Sequence, residues 1–147
     1  MLRIVIAGSR FFNDYKTLEK VTIKKLFELN KMYPQLNLLT IDRENNLYKI
    51  NRENLEIISG MASGADSLAV QFANNYSLKL VEFPADWDTY GRRAGYIRNR
   101  AMHEYISTHV NRGVIAFWDG KSRGTSQSFS LAESYSNPLR VVHVSAI

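Results

Sequence analysis

The segment Tyr90-Gly-Arg-Arg-Ala-Gly-Tyr-Ile-Arg-Asn-Arg100 carries four arginines in eleven residues and no acid. Guanidinium forks suit bidentate binding of phosphate or carboxylate, and Arg98 with Asn99 would project near a helix start to do so. A solvated basic face is the other reading of the run, with Arg92 or Arg93 as its foremost member. Three glycine-bearing turns could complete an anion site: Gly8-Ser9-Arg10, Gly60-Met61-Ala62-Ser63-Gly64, and Gly120 to Gly124. Glycine lets backbone amides approach a phosphate closely, and the free N–H groups of a helix's first turn favour negative charge there. In Ser122-Arg123-Gly124-Thr125, hydroxyls, amides and a guanidinium are all able to donate.

Carboxylates and aromatics near these turns admit two readings each. If Ser63 caps the following helix, Asp66 falls at its third position, where it offsets the helix dipole and orders the turn; the other role open to it is catalysis. Asp86 and Asp88 flank Trp87, so either could bind a ribose hydroxyl, act as a base, or cap the loop. Trp87 and Tyr90 offer flat faces for a base or for packing. The spacing of His103, His109 and His143 is not that of metal ligands, which leaves them solvent or packing roles. Glu133 lies about two turns into its helix, too far for chemistry at Thr125.

These residues need elements to position them. Leu2 to Ala7 is short, apolar and β-branched and stops at Gly8, as a buried parallel strand does. Asn13 or Asp14 can cap a helix with Leu18, Val21, Leu26 and Leu29 at helical spacing, ending before Pro34. Residues 35–54 are Asn-rich and mixed in charge, and read as an irregular or hairpin insertion. Further strands are predicted at Leu55 to Ser59, Lys79 to Phe83, Gly113 to Trp118 and Leu139 to Val144. Helices follow Gly64, span about Ala94 to Thr108, and run from Thr125 through about Ser134. Five strands alternating with four helices imply an α/β, single-domain, Rossmann-like fold over 1–147, a mostly parallel five-stranded sheet with helices on both faces. The turns after its strands would converge beyond their carboxyl ends.

Composition sets the outer limits. The chain has 147 residues, 45% hydrophobic and 22% charged, so disordered and low-complexity classes are excluded. With no cysteine, disulfides and thiolate-held metals are out. A formal charge of +5 points to an anionic partner. No stretch reads as a signal peptide or membrane span, so the expectation is a soluble cytoplasmic protein that uses no membrane. Without a Walker pattern, a full G-x-G-x-x-G or a nucleophile elbow, a P-loop ATPase, an NAD dehydrogenase and a Ser–His–Asp hydrolase are disfavoured, and no cofactor or metal is called for.

Taken in order and spacing, the motifs Gly8-Ser-Arg10, Gly60-x-Ala62-x-Gly64-Ala-Asp66, Pro84-Ala-Asp-Trp87, Tyr90-Gly-x-x-Ala-Gly-x-x-Arg98-Asn99 and Ser122-Arg-Gly-Thr125 resemble the SLOG superfamily of Rossmann-like proteins. The resemblance is to its small YspA-like branch, found in bacteria and phages. It implies a pocket for nucleotides or nucleotide-derived molecules, ADP-ribose-like signals among them, and a homo-oligomer. Relatives similar to the LOG phosphoribohydrolases cut the N-glycosidic bond of a nucleoside monophosphate, with an Arg-Lys pair and Pro-Gly-Gly-x-Gly-Thr-x-x-Glu. Here Arg98-Asn99 takes the place of the basic pair and Gly124-Thr125 that of the Gly-Thr, but the glutamate's position is Ser128. A hydroxyl cannot replace a carboxylate that stabilises an oxocarbenium-like centre.

The leading expectation is therefore a module that binds a nucleotide-derived phosphorylated ligand for sensing, sequestration or processing. Glycine-turn amides, Arg98, Asn99 and Ser122 to Thr125 would face phosphate, Trp87 or Tyr90 the base, and Asp86 or Asp66 the ribose. An N-glycosidase using Asp66, Asp86 or Asp88 with Arg98 is the second reading. Nucleic-acid binding, from the charge and a distant similarity to the DNA-processing protein DprA, ranks third.

Overall fold

A computed structural model describes residues 1–145. Its centre is strand β1 (Leu2–Gly8), whose side chains alternate between two cores. Leu2, Ile4 and Ile6 enter the larger core, while Val5 and Ala7 enter the smaller, as the two-residue period of a strand buried on both faces requires.

Helix α1 (Tyr15–Met32) follows, capped by Asp14, whose carboxylate accepts from the Thr17 N–H at 3.1 Å. It buries Leu18, Thr22 and Leu26 and stops ahead of Pro34, since the residue before a proline is driven out of the helical region. The chain then makes an antiparallel hairpin, β2 (Leu39–Asp42) with β3 (Leu47–Ile50), paired from Leu39↔Ile50 to Asp42↔Leu47. Only its base is buried, at Leu39 and Ile50. There Asn30 Oδ1 accepts from the Leu38 and Leu39 N–H groups, and Asn51 and Asn54 donate to the Asn37 carbonyl.

The remaining elements are β4 (Leu55–Ser59), α2 (Ala65–Asn75), β5 (Lys79–Glu82), a single-turn α3 (Trp87–Tyr90), α4 (Ala94–Ser107), β6 (Arg112–Trp118), α5 (Arg123–Ser134) and β7 (Leu139–His143). The main sheet has the order β5-β4-β1-β6-β7, with every pairing parallel. Helices α1 and α2 supply Leu18, Leu26, Ala69 and Phe72 to the larger core; α4 supplies Met102 and Ile106 to the smaller. This is the α/β Rossmann-like architecture expected from the alternation of elements. The chain winds outward from β1 through β4 to β5, then returns to add β6 and β7 on the other side. The reversal between β1 and β6 opens a crevice at their carboxyl ends. No helix of the described residues is long and apolar enough to cross a membrane.

Candidate functional site

The crevice is built from loops that hold one another. The Ser9 hydroxyl accepts from the Asp119 N–H at 3.0 Å, joining the turn after β1 to the turn after β6. Asp119 in turn accepts from the Lys121 and Ser122 N–H groups at 2.9 and 2.8 Å, which hold its carboxyl below the usual range. The Ser9 carbonyl accepts from the Ala65 N–H, fixing the same turn to the start of α2. Gly64 makes this approach feasible: its φ is +78°, and a Cβ there would lie 2.3 Å from the Ser9 carbonyl oxygen.

A cavity of about 300 Å³ lies over the carboxyl ends of β1 and β6. Ala7, Gly8 and Arg10 line it from the first strand and its loop, Ala62 and Asp66 from the turn after β4 and the start of α2. Trp87 on α3, Arg92 in the tight turn Gly91–Arg93, and Gly95, Tyr96, Arg98 and Asn99 on α4 form another wall. Ser122, Gly124, Thr125 and Ser128 come from α5.

Two helix N-termini therefore open on one space. α5 has no side-chain cap, so its first-turn N–H groups keep unmet donor capacity at the positive end of its dipole, whereas α4 continues directly from the tight turn Gly91–Arg93, whose Gly91 carbonyl accepts from the Ala94 N–H. Arg98 faces the same cavity from α4. Its Nε donates to Asn99 Oδ1 at 2.8 Å, and its Nη1 donates to the Gly60 carbonyl. Asn99 donates to Gln127 Oε1 at 2.9 Å, fastening α4 to α5. The Ser122 and Thr125 hydroxyls are 3.2 Å apart at the start of α5.

Asp66 is the one carboxylate among the lining residues and is 5% exposed. Burial pushes its carboxyl up to about 6, against the opposing pull of Arg98, the Ala62 N–H and Arg10. The same burial lowers the pKa of Arg98, while the Asp66 charge raises it. Among the described residues, no group of three or more His, Asp or Glu side chains is placed to hold a metal ion.

Several sequence-expected residues stand elsewhere. Ser63 is exposed and does not cap α2; Gly64 holds that position without a side-chain bond, because Asp66 turns back to accept from the Ala62 N–H at 3.2 Å. The turn after β4 offers fewer free amides than expected, since the Met61 N–H is taken by the Ser59 hydroxyl and the Ala62 N–H by Asp66. Gly60 lies behind Arg98, supplying its carbonyl. Asp86 caps α3 through the Thr89 N–H at 3.1 Å, and Asp88 and Tyr90 are exposed on that same turn, outside the cavity wall. Arg123 is exposed and does not line it either.

Arg92, one of two arginines offered for a solvated face, does line the cavity, as do Gly95 and Tyr96, which were given no site role, and Ser128, considered only as the replacement for a glutamate. Ser128 had a readable signal, lying one helical turn beyond Thr125 on the same face. His103 is fully buried against Asn137, the His109 ring meets the Met1 carbonyl, and His143 packs on Trp118.

The family model YAcAr, described as the YspA, cpYpsA-related SLOG family, matches residues 2–90, more than half of the chain. The chain belongs to that family. Membership brings a nucleotide-related, Rossmann-like setting to the crevice. No curated protein and no solved structure matches. The family span includes the turns after β1 and β4, Asp66 and Trp87 but ends at Tyr90. The parts played by Arg98, Asn99 and the start of α5 in this SLOG protein therefore rest on geometry.

Proposed function

We propose that the cavity binds a nucleotide or nucleotide-derived ligand, ADP-ribose-like molecules included, and holds it by phosphate. The observation that carries this reading is the convergence of the uncapped N-terminus of α5 with Arg10, Arg92 and the anchored Arg98 on one space. Amide donors at a helix start and guanidinium groups, of which Arg98 is held by Asn99 and the Gly60 carbonyl, are complementary to phosphate and pyrophosphate. Burial raises the Asp66 carboxyl to about 6, so its opposing charge is lost as pH falls below that value. The task served would be sensing, sequestering or processing the ligand.

Calorimetric titration of the protein with AMP and with ADP-ribose tests the reading. Arg98→Ala should weaken either interaction by tenfold or more while leaving a cooperative fold. Equal binding by the variant removes the phosphate assignment.

One observation favours a second reading, N-glycosidic hydrolysis. Of the three candidate aspartates only Asp66 faces the cavity, and a carboxyl held near pH 6 suits proton transfer. Incubation with nucleoside monophosphates and NAD-type dinucleotides should then release free base, and Asp66→Asn should abolish the release. No base from any of them excludes that chemistry for those substrates.

A further inference from the structure

Arg10 and Trp87 leave different strands, β1 and β5, yet meet across the cavity with the guanidinium carbon 6.0 Å from the indole centroid. Among the described residues, neither side chain makes a hydrogen bond or an ion pair. Trp87 remains 49% exposed, which leaves a large aromatic face in water where burial would favour covering it. The backbone turn that carries it is capped by Asp86, which accepts from the Thr89 N–H.

The separation is informative. Atoms in contact lie about 3.5–4.0 Å apart, so a closed guanidinium–indole stack would be much tighter than the one observed. A flat ring inserted between the two groups needs about two such layers, or roughly 7 Å. At 6.0 Å from the indole centroid the guanidinium carbon stands at the outer edge of a cation–π contact, and a sandwiched ring would need it to move out by about 1 Å. The flexible arginine side chain can supply that movement, and each face gains a π contact when it does.

A second distance links this gap to the phosphate end. A Cβ built on Gly95 would lie 3.5 Å from Cη2 of Trp87 and 3.6 Å from Nη2 of Arg98, so the indole edge and that guanidinium are at most about 7 Å apart. A nucleotide, with phosphate and base joined through one sugar, can reach both groups. A sugar phosphate reaches only the second.

We infer that Arg10 and Trp87 form a clamp that closes on the base of the ligand, so that the site selects nucleotides over bare sugar phosphates and purines over pyrimidines. The order within nucleotides follows from ring area, since the larger ring makes more contact with both faces. This inference rests on the phosphate reading above and names the chemical class that the site takes.

The test compares AMP, UMP and ribose 5-phosphate, using tryptophan emission for the nucleotides and calorimetry for all three. The protein has two tryptophans, and a Trp87→Phe variant assigns the signal. AMP should quench Trp87 and bind at least tenfold more tightly than ribose 5-phosphate, with UMP between them. Trp87→Leu should bring the AMP to ribose 5-phosphate affinity ratio close to one. Arg10→Gln, at an exposed side chain whose loss does not threaten the fold, should lower the ratio severalfold. Equal affinities for AMP and ribose 5-phosphate in the unaltered protein, or a ratio untouched by both variants, overturns the clamp and leaves the phosphate pocket standing. If neither compound binds, the clamp and the phosphate reading fail together.

Discussion

Arg98 on α4 donates through Nη1 to the carbonyl of Gly60 at the end of β4, so the guanidinium that faces the cavity is anchored to a neighbouring strand. Gly60 is the residue that lets this happen. A Cβ there would stand 2.8 Å from both Nη1 of Arg98 and Oδ2 of Asp66, closer than side chains pack. The glycine thus keeps open the space in which the cavity's buried acid and its anchored cation approach each other.

Gly60→Ala should therefore displace Arg98 or Asp66 and weaken AMP binding by about tenfold, the scale of one lost charge-assisted contact. Thermal unfolding should show a loss of about 1–3 kcal/mol from overpacking. Unchanged AMP affinity in a folded variant would show that Arg98 does not need this anchorage.

The middle of the sheet was legible because β1, β4 and β6 are buried on both faces. Leu2 to Ala7 and Leu55 to Ser59 read as short, mostly apolar runs, broken by Arg3 and Glu56, and each glycine turn marked a carboxyl end. The hairpin at residues 39–50 was harder to read, because the asparagines that made the region look irregular satisfy the backbone at its base, through Asn30, Asn51 and Asn54. At the cavity, residue type pointed to Arg98 and Asn99, but local geometry decided the rest. Asp66 turned back to Ala62 in place of a Ser63 cap, and the tight turn Gly91–Arg93 carried Arg92 inward. Neither event has a signature in residue spacing, since both depend on φ/ψ choices made by neighbouring glycines.

Asn99 is the relay between two helices, accepting from Arg98 Nε and donating to Gln127. Gln127→Leu removes the acceptor on α5 and should cost about 1 kcal/mol of stability, because a buried amide donor loses its better partner. It should also weaken AMP binding severalfold by freeing Asn99 to turn away from Arg98. Asn99→Leu should lower affinity further, since it removes the bond to Arg98 itself. Calorimetry on the two variants checks the order, and equal or reversed losses would break the proposed relay.

Two buried groups should give the protein opposing responses to acid. Burial raises Asp66 from an ordinary value of 3.8 to about 6, so the folded state takes up a proton before the unfolded chain does. Its contribution to stability is present below the unfolded pKa and is lost as pH rises through about 6, a swing of about 3 kcal/mol. His103 behaves oppositely. Burial lowers it from 6.5 to about 4, so its neutral form stabilises the fold above pH 6.5 and that contribution is lost as pH falls towards 4. Between about pH 4.5 and 6 the two slopes offset, and denaturant midpoints of the unaltered protein should vary little. Asp66→Asn, which keeps an oxygen for the Ala62 N–H, should be more stable than the parent at pH 8 and should lose stability steadily on acidification below 6.5. His103→Phe should show the reverse slope, gaining stability as pH falls from 6 to 4.5. Parallel pH profiles for the parent and Asp66→Asn would mean that the Asp66 carboxyl titrates in its ordinary range despite its burial.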